Sequence, residues 1–314
     1  VEEILQSCGY ETCHVNLRFD QPGYLRVPLV SLELLRTILS LPKGTELCLQ
    51  YPVTKLLFKW HWLLKKRCVR LTVVVHDIES VRYTGTLSQE EREQLSCFDS
   101  IIAHTPAMQE LLISSGVSAD RIHLLQLFDY LATPPSPSPL NYQEGMPREV
   151  CFAGNLGKSL FLPELQQIVG ANLHVLLYGV GLSEEVELSD ELQFKGKFAP
   201  DDLTLLRGHY GLVWDGDSIT TCTGRIGEYL KINAPHKASL YIAAGIPLIV
   251  WRHSAIAPYV LEHQLGIAVD SLLELPERLA SIDIAQYTRY REAVQVEQMK
   301  ITQGLHLRNI ISAL

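Results

Sequence analysis

The chain is 314 residues long, 47% hydrophobic and 20% charged, with a formal net charge of -8. That length suits two domains with a sizeable core, and the negative charge argues against nonspecific nucleic-acid binding, which needs basic patches to displace counterions. No apolar run approaches the ~18 residues of a membrane span, and the seven cysteines (Cys8, Cys13, Cys48, Cys68, Cys97, Cys151, Cys222) are odd in number and lack any C-x-x-C pair, which points to reduced thiols in a cytoplasmic protein rather than a metal site.

In chain order, Val1 to Tyr10 has the pattern of the latter part of a helix ending at Gly9, so a strand and turn are expected ahead of it. The chain opens at Val1 rather than Met and shows no signal peptide; an upstream segment with a glycine-rich or polar loop is expected. Strands are predicted at Thr12–Leu17, Glu46–Gln50, Leu71–His76, Ser100–Ala103 and Ile122–Gln126, and helices at Leu29–Leu41, Thr54–Lys66, Ser88–Cys97 and Pro106–Ser115. The run from Ala132 through Pro134, Pro135, Ser136, Pro137 and Ser138 to Pro139 suits neither helix nor central strand and reads as a linker. Strands resume at Glu149–Phe152, Leu173–Tyr178, Leu192–Lys195, Gly211–Trp214, Pro247–Trp251 and Gly266–Val269, and helical pattern runs from Ser271 to the end.

Such alternation is the signature of parallel sheets covered by helices on both faces, hence an α/β fold. The expected organisation is a domain at residues 1–131 lacking its first strand, a linker at 132–147, a second domain at 148–300, and a terminal helix at 301–314 that packs back on the first domain. Ligands of such domains lie at the carboxyl ends of the strands, here expected in the cleft between the two.

The most informative stretch runs from Asn233 to Val250. Pro235 is tolerated in a first turn, Gly245 marks a helix exit, and a buried strand follows. Lys237 falls in that first turn, where the helix already presents bare N–H groups, so its charge is opposed by roughly 0.3–1 kcal/mol. A diphosphate would remove the conflict; the alternative is a lysine that is merely solvated. Gly154-Asn155-Leu156-Gly157-Lys158-Ser159 lies between a strand and a helix, but the spacing is too short for a Walker loop. A simpler phosphate-contacting turn and a purely structural turn both remain open. Asp215-Gly216-Asp217 suits a Mg²⁺ or Mn²⁺ site of a metal-dependent transferase, but Asp-Gly also favours tight turns, and turn or acceptor contact is preferred. Of the four tryptophans, only Trp214, just before this turn, is a candidate for lining a pocket.

Tyr229 to Asn233, His236-Lys237, and Tyr241 to Val250 resemble bacterial β-1,6-galactofuranosyltransferases and the glucosyltransferases that extend GlcNAc on streptococcal serine-rich adhesins. Further matches are His76-Asp77-Ile78, Phe152-Ala153-Gly154-Asn155, Phe198-Ala199-Pro200-Asp201-Asp202 and Gly211-Leu212-Val213-Trp214. The resemblance implies a GT-B fold of two Rossmann-like domains facing across a cleft. It also implies a UDP-sugar donor held mainly by the second domain, inverting transfer without an essential metal or other cofactor, and self-association. The donor-binding set it implies is Gly154, Asn155, Lys158, Phe198, Asp215, Asn233, His236 and Lys237. Lys158 stands where relatives have arginine, keeping the charge and losing the bidentate fork. Phe198 replaces a tyrosine and can stack on a base without a phenolic hydrogen bond.

Inverting transfer needs a general base on the acceptor hydroxyl. Asp77, with His76 as second choice, ends a buried first-domain strand and is the candidate; a simple strand-end turn is the alternative. The expected activity is hexose transfer (glucose or galactofuranose) to a glycan or glycosylated protein, in the cytoplasm or at the inner face of the membrane. A UDP-sugar epimerase shares the architecture but needs more carboxylates around the anomeric centre, and a non-catalytic partner subunit is opposed by the retained Lys237 motif. A dehydrogenase is the weakest alternative, since these residues contain no G-x-G-x-x-G, although an upstream segment could hold one.

Overall fold

The computed structural model describes residues 1–18, 22–135, 142–143 and 145–314. The chain divides into two compact units, Val1–Leu125 and Gln126–Leu314. Residues 136–141, which include the end of the proline and serine run, lie outside the described residues, as do residues 19–21 and 144.

The first unit holds a parallel sheet of β1 (Glu46–Tyr51), β2 (Arg70–Val75), β3 (Ser100–Ala103) and β4 (Ile122–Leu124), in that order. β2 is central and buried from Leu71 onward, as a Val-rich run covered on both faces should be. The helix Gly23–Ser40 turns Val30, Leu34 and Ile38 inward at a four-residue spacing.

Two expectations fail here. Thr12–Leu17 forms no strand: its β-branched and apolar residues find no ladder, and side chains take the polar groups instead, with Asn16 N–H donating to Glu33 Oε1 at 3.0 Å and Thr12 Oγ1 accepting from Gln6. Thr54–Lys66 is two helices, Lys55–Lys59 and His61–Lys66. They meet at Trp60, whose N–H bonds back only three residues to Leu57 and whose φ of -103° leaves the helical range.

The second unit carries six parallel strands: β5 (Arg148–Asn155), β6 (Leu173–Val180), β7 (Leu192–Phe194), β8 (Tyr210–Val213), β9 (Leu248–Trp251) and β10 (Gly266–Val269). Their order is β10-β9-β8-β5-β6-β7. Building starts at β5, proceeds outward through β6 and β7, then returns to β8 on the other side. The pair β5/β8 is therefore the topological switch point, where open α/β sheets form a crevice at their carboxyl ends. Alternation along the strands separates two cores: Val150 and Phe152 pack into one layer, Cys151 and Ala153 into the other.

Residues 126–131, grouped with the first domain in the sequence reading, fall in the second unit. Tyr130 N–H donates to Ile301 O at 3.1 Å, and the Asp129 carboxylate accepts from His306 N–H at 3.2 Å and Leu307 N–H at 2.8 Å. Those two N–H groups open the helix Leu305–Ala313, which also belongs to the second unit. The helix before it, Ile284–Thr302, is capped by Asp283, which accepts from Gln286 N–H at 2.7 Å.

Candidate functional site

The helix His236–Ala243 has Pro235 as its N-cap residue and no side-chain cap, and the chain leaves it at Gly245 with φ +75°. Its first turn sits over the carboxyl ends of β5 and β8. Lys237 runs inward rather than out to solvent: its side chain is 18% exposed and its ammonium pairs with the Asp215 carboxylate. The ammonium also lies 3.4 Å from Trp214 O and 4.5 Å from the centroid of the Phe152 ring, whose π face attracts it.

Gly154, at φ +149°, makes room for this path, since a Cβ there would stand 3.3 Å from Lys237 Cε. The next strand closes from the other side. A Cβ on Gly179 of β6 would meet Gly154 O at 1.8 Å, so neither glycine tolerates a side chain without movement. Three of the expected donor-site residues, Gly154, Asp215 and Lys237, are thus brought to one point at the switch.

Others lie around that point. Asn155 caps the short 3₁₀ turn Leu156–Lys158, its Oδ1 accepting from Gly157 N–H at 3.1 Å, and Lys158 at the end of that turn is exposed. No P-loop is formed; the turn is a single 3₁₀ step held by Asn155. Phe198 packs edge-on against Tyr178 near the end of β6, ring centroids 6.0 Å apart. His236 stacks on Phe128 at 4.2 Å. Asn233 is half-buried, its N–H bonded to Tyr229 O at 3.0 Å.

The Asp-Gly-Asp segment belongs to a folded loop rather than a tight reversal. Asp215 is engaged by Lys237, while Asp217 lies against Gly224, where a Cβ would meet its Oδ2 at 2.0 Å. Asp217 N–H donates to Thr223 O at 3.3 Å. Glu164 pins the loop from below, its Oε2 accepting from Ser218 Oγ and Ile219 N–H at 3.2 Å each. Burial pushes the Cys222 thiol, under the same loop, up to about 12. Among the described residues no group of three or more His, Cys, Asp or Glu is placed to hold a metal ion.

In the first unit His76 and Asp77 follow β2 directly. His76 Nε2 is 2.9 Å from Gln50 Oε1, and Asp77 Oδ2 accepts from Arg82 Nη1 at 2.8 Å. The loop is held by Glu91, a buried carboxylate accepting from Glu79 N–H at 3.0 Å and Ser80 N–H at 2.9 Å. Sequence reading assigned no role to Phe152, Glu164, Tyr178 or Glu91, although Phe152 opens one of the matched motifs. Each acts through a neighbour distant in the chain, and no spacing pattern marks such a residue.

Residues 1–127 match the glucosyltransferase 3-like N-terminal domain and residues 150–314 the glucosyltransferase 3-like C-terminal domain. The chain belongs to the glucosyltransferase 3-like family. The chain is 30% identical over 311 residues to β-1,6-galactofuranosyltransferase WbbI of Escherichia coli (strain K12), covering 93% of this chain and 88% of WbbI. It is 23% identical over 252 residues to glucosyltransferase 3 of Streptococcus gordonii, covering 79% of this chain and 71% of that protein. The crystal structure of Anabaena HepE in complex with UDP superposes with a TM-score of 0.62 at 16% identity, covering 94% of this chain and 85% of HepE. This glucosyltransferase 3-like chain therefore has the GT-B fold, two α/β units each built on its own parallel sheet.

Proposed function

We propose that this glucosyltransferase 3-like chain moves a hexose from a UDP-sugar to a hydroxyl of a glycan or glycosylated protein, with inversion at the anomeric carbon. The observation that carries the reading is the position of Lys237, inward over the β5/β8 switch point in the first turn of a helix without a side-chain cap. A nucleoside diphosphate fits that spot, since the turn offers N–H groups and positive charge together. The names of WbbI and of the streptococcal glucosyltransferase, and the UDP held by HepE, support the same donor class.

As the glycosidic bond breaks, the leaving diphosphate gains negative charge, which the ammonium and the helix N–H groups stabilise without reorganising. Asp215 keeps the ammonium over the strand ends, and the donor phosphates come to share it. Asn155, at the end of β5, and Lys158, on the turn after it, are the second phosphate contact, while Phe198, Asn233 and His236 complete the donor side. Asp77, with His76 as second choice, takes the proton of the acceptor hydroxyl; the Arg82 guanidinium fixes the orientation of the Asp77 carboxylate. The transfer needs no metal in this reading, and the reaction belongs to the cytoplasm or the inner face of the membrane. Among the described residues no helix is long and apolar enough to cross a membrane.

The test is a screen of UDP-glucose, UDP-galactose, UDP-GlcNAc and UDP-galactofuranose against simple acceptors, with and without EDTA, reading UDP release. Activity that survives EDTA, and is lost in Asp77→Asn while UDP binding is kept, is expected. Activity abolished by EDTA would overturn the metal-free mechanism, and full turnover by Asp77→Asn would remove it as the base.

A further inference from the structure

β5 and β8 part company just where the crevice opens. Their pairing covers Val150↔Tyr210 and Cys151↔Gly211, whereas β5 stays paired with β6 as far as Asn155↔Val180, and β8 with β9 as far as Val213↔Val250. A buried strand that loses its neighbour leaves backbone groups needing other partners. Ala153, two residues past the last β5/β8 pair, is such a place, and its N–H donates to the hydroxyl of Tyr241 at 2.8 Å.

Tyr241 is fully buried, and burial pushes its phenol far above the ordinary range, so it is neutral. Its ring lies flush against Gly211 on β8: a Cβ at Gly211 would stand 2.2 Å from Tyr241 Cγ. One side chain therefore touches both strands of the fork, β8 with its ring and β5 with its hydroxyl. It also stands four residues after Lys237, one helical turn along the same face.

We propose that Tyr241 is a positioning residue for donor binding: wedged between β5 and β8, it fixes the height and rotation of the helix His236–Ala243 and so holds Lys237 over the strand ends. The proposal rests on the reading of Lys237 as the diphosphate contact. Without the hydroxyl bond the helix keeps only its apolar packing against Cys151 and Ala153 of β5, and the ammonium, still paired with Asp215, is held less firmly above Gly154.

The experiment is titration of the full chain with UDP, each variant measured well below its own melting temperature. Tyr241→Phe keeps the ring and removes only the hydroxyl; the Kd for UDP is expected to rise at least fivefold. Tyr287→Phe is the control, a buried tyrosine whose hydroxyl donates to His209 O at 3.1 Å, just ahead of the opposite end of β8. It should lower the melting temperature comparably and leave the Kd within twofold. If the two variants bind UDP alike, Tyr241 is structural and the proposal fails. Lys237→Ala separates this from failure of the underlying reading: if it binds UDP as the parent chain does, the diphosphate site itself is wrong; if it loses binding while Tyr241→Phe keeps it, only the positioning role falls.

Discussion

At the scale of single residues, the informative contrast is between Lys237 and the glycines beneath it. Replacing Lys237 by Met removes the pair with Asp215 and relieves the unfavourable charge at a helix start, which is worth about 0.3–1 kcal/mol. The two effects oppose each other, so urea unfolding should show a stability change of about 1 kcal/mol or less, while UDP affinity falls more than tenfold. A large loss of stability with binding retained would make the lysine structural. Gly179→Ala should do the reverse, costing about 1–3 kcal/mol or more because its Cβ would meet Gly154 O at 1.8 Å with φ at +139°. Gly154 could be singled out in the sequence because it stands between a strand and a charged turn. Gly179 could not, since its role exists only once β6 lies beside β5.

At the scale of elements, three helices of the second unit are tied together by one buried carboxylate. Glu297, in the helix Ile284–Thr302, accepts from Tyr259 Oη at 2.7 Å and pairs with His306 Nε2 at 2.8 Å and Lys300 Nζ at 2.9 Å, joining three helices. Burial pushes its pKa up, but the bonds from His306, Lys300 and Tyr259 outweigh this and bring it from 4.5 down to about 2. Because the folded value lies below the ordinary one, the stabilisation is complete above pH 4.5 and disappears as the pH falls towards 2. It amounts to something on the order of 3 kcal/mol. Unfolding free energies measured between pH 6 and 2 should therefore drop less steeply for Glu297→Gln than for the parent chain; equal slopes would show that the carboxylate makes no such contribution. Alternating runs made these helices and strands legible in outline. Thr12–Leu17 and Thr54–Lys66 were misread because strand pairing and the break at Trp60 depend on neighbours that local pattern does not contain.

At the scale of the whole molecule, the α/β alternation was readable but the strand order was not, because nothing in a run of apolar residues says that β8 returns to lie beside β5. That return creates the crevice, and it makes Lys237 more than a lysine at an awkward helix position. Ligand selectivity should follow: UDP at about 100 times its Kd should stabilise the chain by about 2.7 kcal/mol, and NAD should leave its melting curve unchanged. Stabilisation by NAD alone would contradict the assignment. The bonds from Asp129 to the last helix have a different consequence. They bring the opening residues of the second unit and its closing helix to a common seam, so the lobe is a ring fastened noncovalently. Deleting residues 304–314 would then strip the Asp129 carboxylate of both N–H partners and loosen the front of the lobe along with its back, leaving the Tyr130 to Ile301 bond to hold the seam.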